Sequence, residues 1–425
     1  MRGNGRPGMW RRNVSALLAV AMFVIALCGT PSASAEEVQS DTLGIEAASA
    51  ILIDAATGQV LYEKNADEVR PPASMTKMMT ELIVLERIAN KDNSWEEIVS
   101  VSKEAASTPA DGSQIYLAEG DQHSIKDLYI AMAVGSANDA TIALATHIAG
   151  TEQAFVELMN KKAQEIGLAT AKYTGATGLQ ETTVISARDQ AKLAMTILRD
   201  RPEFLDYSKL IDYKFRERDK KPMINWNWML EGNKDVKSLK QFAYPGVDGM
   251  KTGYISKAGY CFTGTVKKGD LRLISVVMGT SSEKARFRET KKLFDYGLNS
   301  FEMKTVVQPK SVVESVQTVN VKKGKKKTVP VVTENDISFL VKKGTEPKME
   351  VIGTTLVDEK ELTAPLDSGT KVGTVTYAYT DDSGKKIEKT VNLITTEKVG
   401  KASWWRLMFR GIGGFFAGLF KGITG

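Results

Sequence analysis

Hydrophobic and polar positions change their period several times along this chain, and each change marks an element. The run Ala50-Ile-Leu-Ile-Asp54, a turn at Thr57-Gly58 and Val60-Leu-Tyr62 predict a β-hairpin. Pro71-Pro72 then stops the extended chain. Ser74 to Asn90 reads as a helix, because Met75, Met78, Met79, Leu82, Ile83 and Ile88 keep near-helical spacing. Two further apolar stretches, Tyr129 to Val134 and the run from Ala140, flank a polar triplet and predict helices on either side of a loop facing a cleft. Gly259 to Val266 and Leu271 to Val277 flank Lys267-Lys-Gly-Asp270 as a second hairpin, and Arg286 to Leu298 reads as a closing helix. Strands at both ends with helices between them predict an α/β (α+β) region, residues 36–302, whose one sheet is assembled from its two termini.

After about residue 303 the texture changes. Residues 303–398 are rich in Val, Thr and Lys, with strand-length runs such as Val372 to Tyr379 and turns such as Asp381-Asp-Ser-Gly384, which predicts a small all-β domain. Its basic run Lys322-Lys-Gly-Lys-Lys-Lys327 reads as a solvated hairpin turn, with contact to an anionic surface as the alternative. In residues 401–425 the pattern is helical again. Trp405, Met408, Phe409, Ile412, Phe415, Phe416, Leu419 and Ile423 share one face, and Arg406, Arg410 and Lys421 lie on the other. Three cations in this window argue against a spanning helix and for one lying in a bilayer interface, with docking on the protein itself as the rival.

The first 35 residues read as an export signal. Arg2, Arg6, Arg11 and Arg12 form a basic start, Val14 to Leu27 an apolar stretch, and Ala33-Ser34-Ala35 a cleavage site before Glu36. Export puts the mature chain on the oxidising side of a membrane. Cys28 leaves with the signal, however, so Cys261 has no partner for an intramolecular disulfide. With His123 and His147 as the only histidines, a His/Cys metal site is not expected, and His147 reads as a core or helix-end residue. A net charge of +6 is mild and comes without a basic-aromatic motif, so no nucleic-acid partner is expected.

Ser74-Met-Thr-Lys77, Ser136-Ala-Asn138 and Lys251-Thr-Gly253 occur in that order. Taken singly, Ser74 is a plain helix cap after two prolines, and Ser-x-Asn is a cap too. Together they read as a serine acyl-transfer site that uses lysine as its base. Ser74 and Lys77 share a helix face, at the end where the helix dipole favours negative charge developing on oxygen. Lysine is protonated in water, with a pKa of about 10.4. Lys77 can act as base only if burial and a neighbouring cation, here Lys251, favour its neutral form. Ser136 would relay a proton to the leaving amine, and Asn138 would hold Lys77 or the substrate backbone. Lys251 and Thr252 would bind a substrate carboxylate, on a strand edge ending in Gly253 where a peptide can approach closely. The backbone N–H groups of Ser74 and Tyr254 are the candidates for an oxyanion hole.

The segments Pro72-Ala-Ser-Met-Thr-Lys-Met-Met79, Ser136-Ala-Asn138 and Val247-Asp-Gly-Met-Lys-Thr-Gly253 resemble the low-molecular-mass penicillin-binding proteins. Within them they resemble the D-alanyl-D-alanine carboxypeptidases of peptidase family S11. Phe155-Val-Glu-Leu-Met-Asn160, Thr174-Gly-Ala-Thr-Gly-Leu179 and Asn225-Trp-Asn227 fit the same pattern. The resemblance covers nearly the whole chain after the signal. It implies the penicillin-recognising serine-transferase fold: an antiparallel sheet with helices on both sides and a helical subdomain, then a small β domain and an amphipathic anchor helix. It also implies removal of the terminal D-alanine from peptidoglycan pentapeptides through an acyl-enzyme on Ser74, with β-lactams as covalent inhibitors and no cofactor. The family's carboxylate-binding arginine maps onto Arg286 in Ala285-Arg-Phe-Arg288, with Arg288 close by.

A class A β-lactamase shares this plan but carries a glutamate in an E-x-x-L-N loop to drive deacylation. The nearest match, Glu157-Leu-Met-Asn160, lies in a helical stretch and lacks the leucine before asparagine. A penicilloyl-enzyme should therefore persist. A β-lactamase or esterase on the same fold remains a rival, distinguished by fast penicilloyl turnover. A wall-binding protein with a vestigial site is the other, distinguished by covalent labelling with fluorescent penicillin.

Overall fold

A computed structural model describes Met1 and residues 43–110, 112–381 and 384–410. The export signal expected over residues 1–35, apart from Met1, and residues 411–425 of the amphipathic segment lie outside the described residues.

β1 (Ser49–Asp54) is buried at every position, so both faces of its sheet need a cover. It pairs antiparallel with β2 (Val60–Lys64), forming the expected hairpin. β3 (Val247–Ile255), β4 (Gly259–Lys268) and β5 (Leu271–Thr280) form a meander, and β5 joins β1 to give the order β2-β1-β5-β4-β3. The sheet is thus built from the two ends of its region, and β3 is an edge strand. The two-residue pleat divides the side chains between faces. Ile51, Ile53, Ile274, Val276 and Met278 enter the larger core, whereas Leu52, Leu61 and Leu273 lie where a side chain on Gly297 would have to go.

Between β2 and β3 run α1 (Lys77–Ala89), α2 (Ile125–Gly135), α3 (Asn138–Ala149), α4 (Glu152–Glu165) and α5 (Ala187–Asp200). α5 packs on β1 and β5, while α6 (Glu283–Ser300) covers β4 and β5. Helix starts are written locally. Ser124, Thr151, Ser186 and Ser282 each accept a backbone N–H from three residues on, at 3.0 to 3.1 Å. Each such cap contributes about 1 kcal/mol. His147 lies in the last turn of α3, with its Nε2 2.8 Å from Glu97.

The following region is built of strands: β6 (Phe301–Val307), β7 (Thr318–Asn320), β8 (Thr328–Thr333), β9 (Ile337–Lys342), β10 (Met349–Leu356), β11 (Lys371–Thr380) and β12 (Lys386–Thr395). β6 pairs with β9, and the others form a sheet in the order β7-β8-β12-β11-β10 over a separate core that includes Val329, Phe339, Val372 and Leu393. The basic run connects β7 to β8 as the expected turn, and Lys326 pairs with Glu397 at 2.6 Å. Residues 404–410 are helical. Arg410 donates to the carbonyls of Gly324 and Lys325 at 2.7 and 2.9 Å, while Trp404, Trp405 and Phe409 stay exposed. Among the described residues no helix is long and apolar enough to cross a membrane.

Candidate acyl-transfer site

Ser74 does not begin the α-helix that the periodicity predicts. It sits in a 3₁₀ turn, Ala73–Thr76, and α1 starts at Lys77. Ala73, with φ of 50°, turns the chain away from Pro71-Pro72, and the Met75 N–H donates to Pro72 O at 3.2 Å. Gly178 presses on this turn from outside: a Cβ at its φ of 82° would lie 2.0 Å from Ala73 O, so the Thr174–Leu179 segment needs glycine there. The turn leaves Ser74 half-buried at the cleft and sends Lys77 into the core.

Lys77 is fully buried, and its Nζ meets three oxygens: Ser74 Oγ at 3.2 Å, Asn138 Oδ1 at 2.7 Å and Thr177 O at 2.8 Å. Burial first, and the Lys251 charge second, hold its amine well below the ordinary lysine range. Asn138 opens α3, and its backbone N–H donates to Ser113 O at 2.8 Å. Ser136 closes α2 in the left-handed conformation, with φ of 58°, and its buried Oγ has no hydrogen-bond partner among the described residues. The next carboxylate, Asp139, accepts the backbone N–H groups of Ile115 and Leu117, which fixes the loop opposite.

The Lys251-Thr-Gly253 motif lies within β3, not at a strand end as expected, because the β3–β4 hairpin extends to Ile255 and Gly259. A Cβ on Gly253 would lie 2.6 Å from Pro72 O and 3.1 Å from Ser74 N, so glycine lets the edge strand meet the serine turn. Lys251 is 3% exposed and is not among the residues that line the cleft. The groups that reach the cleft beside it are Thr252, Gly253 and Tyr254, whose ring stacks on Tyr260 at 4.3 Å. Arg286 is buried in the cleft wall, 3.1 Å from Glu283, and burial pushes its guanidinium down to about 10. Arg288, which the sequence left in competition with it, lies on the outside between Glu46 and Glu289.

The cleft measures about 700 Å³ and brings together Ser74, Ser136, Asn138, Thr252, Tyr254 and Arg286. Trp226 also lines it, held out by its neighbours: Asn225 Oδ1 accepts the Asn227 N–H at 2.9 Å, and Asn227 Nδ2 donates to Gly249 O at 3.1 Å. Glu157 is exposed on α4, outside the cleft lining, and Asn160 instead ties α4 to Tyr173. Sequence reasoning missed Thr177, whose carbonyl accepts from Lys77, although the Thr174–Leu179 match held a signal for it.

The sequence profile described as D-alanyl-D-alanine carboxypeptidase, peptidase S11, matches residues 34–282, and that of the penicillin-binding protein 5 C-terminal domain matches residues 301–401. The D-alanyl-D-alanine carboxypeptidase DacF of Bacillus subtilis is 36% identical over 368 residues, covering 86% of this chain and 90% of its own. Penicillin binding protein 5 from Haemophilus influenzae superposes with a TM-score of 0.64 at 34% identity, covering 84% of this chain and 98% of that one. Penicillin-binding protein D2 from Listeria monocytogenes, solved in an ampicillin-bound form, superposes with a TM-score of 0.52 at 30% identity, covering 60% of this chain and 98% of its own. With its motifs gathered in one cleft of the penicillin-recognising fold, the chain belongs to the S11 family of D-alanyl-D-alanine carboxypeptidases.

Proposed function

We propose that this chain is a serine-type D-alanyl-D-alanine carboxypeptidase that removes the terminal D-alanine from peptidoglycan pentapeptides. The observation that carries the reading is the buried Lys77 amine 3.2 Å from Ser74 Oγ. Lys77 takes the Ser74 proton as Oγ attacks the penultimate D-alanine carbonyl. The N–H groups of Ser74 and Tyr254 receive the oxyanion, each donor being worth about 3 kcal/mol in such sites. Ser136 passes a proton to the departing amine, and D-alanine leaves. Water then attacks the acyl-Ser74 ester and restores the hydroxyl. The substrate's terminal carboxylate binds Thr252 and Arg286 under the field of Lys251, while Gly253 lets its backbone lie along β3. Asn138 holds Lys77 in place.

β-Lactams acylate Ser74 by the same attack, and the ester persists because Glu157 stands outside the cleft. The working unit is divided into a catalytic domain, residues 36–302, a β domain, residues 303–398, and a membrane-binding helix, residues 401–425. The export signal places it outside the cytoplasmic membrane, and the exposed Trp404, Trp405 and Phe409 favour peripheral attachment to the outer face. Incubating the purified protein with a peptide ending in D-Ala-D-Ala should release one D-alanine per peptide. No release from a protein that binds penicillin stoichiometrically would overturn the carboxypeptidase reading.

A further inference from the structure

Trp226 is the largest apolar side chain lining the cleft, and the acylation chemistry gives it no task. It is 39% exposed, between two buried neighbours, Asn225 and Asn227. A lone exposed apolar residue on a convex surface is ordinary. This one faces a concavity from a fixed mount. Asn225 Nδ2 donates to the carbonyls of Ser208 and Leu210 at 3.0 and 2.9 Å, and Asn227 Oδ1 accepts the Met229 N–H at 3.1 Å. Together with the bonds from Asn227 to Asn225 and to Gly249, they tie the backbone down on both sides of the indole.

Two contacts place this segment against the reacting groups. Three residues earlier, Met223 lies against the end of α2: a Cβ on Gly135 would come 2.8 Å from Met223 Sδ, and Ser136 follows Gly135. One residue later, Asn227 is bonded to Gly249, which precedes Lys251 and Thr252 on β3. Gly253 marks the level of Ser74 on that strand. Trp226 therefore lies toward the Thr252 side of Ser74, whereas Tyr254 and Ile255 continue β3 in the other direction. In the proposed reaction the scissile carbonyl is at Ser74 and the terminal carboxylate at Thr252 and Arg286, so the leaving residue occupies the Trp226 side.

We propose that Trp226 is a specificity-determining residue: its indole forms the wall against which the leaving residue's side chain packs, admitting a methyl group and excluding larger ones. The inference rests on the carboxypeptidase reading. With the amine held at Ser136 and the carboxylate at Thr252 and Arg286, the substituent on the leaving residue's Cα has a fixed direction. A methyl group meeting the indole removes apolar surface from water on both partners. A branched side chain would have to displace a ring whose backbone is pinned, and overpacking of that kind is unfavourable. The neighbouring groups do not supply such a wall, since Ser136 and Thr252 are small and Arg286 is engaged by Glu283 at 3.1 Å.

The test compares peptides that differ only in their last residue, ending in D-Ala-D-Ala or D-Ala-D-Leu, with wild type, Trp226→Ala and Trp226→Phe. The readout is the ratio of the two kcat/KM values for release of the terminal residue within each protein, so a loss of folded fraction does not change it. Both peptides give the same acyl-enzyme, so deacylation does not enter the comparison. Wild type should favour D-alanine at least about tenfold, and Trp226→Ala should raise the relative rate on D-leucine by about tenfold. Trp226→Phe should fall between them, and it carries the comparison if the alanine variant fails to fold. An unchanged ratio in the folded variants, or a wild type that releases D-leucine as readily as D-alanine, would overturn the inference and leave the carboxypeptidase reading intact. A wild type that binds penicillin and releases neither residue would overturn that reading, and this inference with it.

Discussion

The Nζ of Lys77 stands 3.2 Å from the Oγ of Ser74, and its two shorter contacts, to Asn138 Oδ1 at 2.7 Å and Thr177 O at 2.8 Å, are both to acceptors. A neutral amine has two N–H bonds and one lone pair. In that form both N–H bonds would have acceptors, Asn138 Oδ1 and Thr177 O, and the lone pair would be left for the Ser74 hydroxyl. An ammonium in the same place would turn a third N–H toward Ser74 and could not take its proton. Sealing Lys77 from water favours the neutral form, so geometry and burial act in the same direction.

Lys77→Arg should therefore lower the acylation rate by about a thousandfold, the usual scale of a lost general base. Arginine keeps its proton at any working pH. The rate constant for fluorescent penicillin labelling reads the effect, and thermal unfolding controls for misfolding. Labelling at near the wild-type rate would assign the base to another group.

Penicillin should leave its adduct on the peptide that contains Ser74, read by mass spectrometry after digestion. Ser136 is the competing nucleophile, since its buried Oγ has no partner among the described residues and the residue lines the same cleft. An adduct there would reverse the two serines' roles. Ser74→Ala should take no label while melting close to the wild-type temperature, because a half-buried hydroxyl at a turn contributes little to the fold.

Legibility in the sequence followed the range of each interaction. Ser74 and Lys77 are three residues apart, so their encounter was readable from a helix face. Both hairpins were readable because their strands and turns are contiguous, and the union of β1 with β5 followed from where strand patterns stood. Thr177 was not readable as a partner, since it comes within reach of Lys77 only by packing across 100 residues. The burial of Lys251 was not readable, because the motif carries no depth; the hairpin pairing that buries it is a tertiary fact. Arg286 and Arg288 differ by half a helical turn, and only the direction of α6 decides which faces the cleft.

That direction makes a sharp comparison. Arg286→Ala should raise KM for a D-Ala-D-Ala peptide about tenfold or more, as expected when a charge-assisted bond to a carboxylate is lost. Arg288→Ala should leave KM within twofold, because its side chain is exposed and its pairs with Glu46 and Glu289 lie outside the cleft. The exposed pair with Glu46 is worth little, and the buried Glu289 keeps its second partner, Lys292, at 2.8 Å. Steady-state D-alanine release gives both values. A larger KM effect from Arg288→Ala would move the carboxylate site.

The last turn described, residues 404–410, presents Trp404, Trp405 and Phe409 to solvent with the two indoles stacked 3.9 Å apart, while Arg410 is tied to the β7–β8 turn. An exposed aromatic group on a helix whose other side is cationic suits the interface of an anionic bilayer. Each large side chain would contribute about 1.5–3 kcal/mol if fully buried there, and Arg406 and Lys421 about 1 kcal/mol each near the surface. Insertion would be partial and the helix would have to be ordered, so the net would be well below that sum. The cut should fall after Ser403, because the Ala402 N–H donates to Lys323 O at 2.8 Å and belongs to the β domain. Deleting residues 404–425 should leave D-alanine release from small peptides unchanged and move the protein from vesicle-bound to free in sedimentation with anionic lipid. A truncated protein that still sediments with the vesicles would place the attachment elsewhere in the chain.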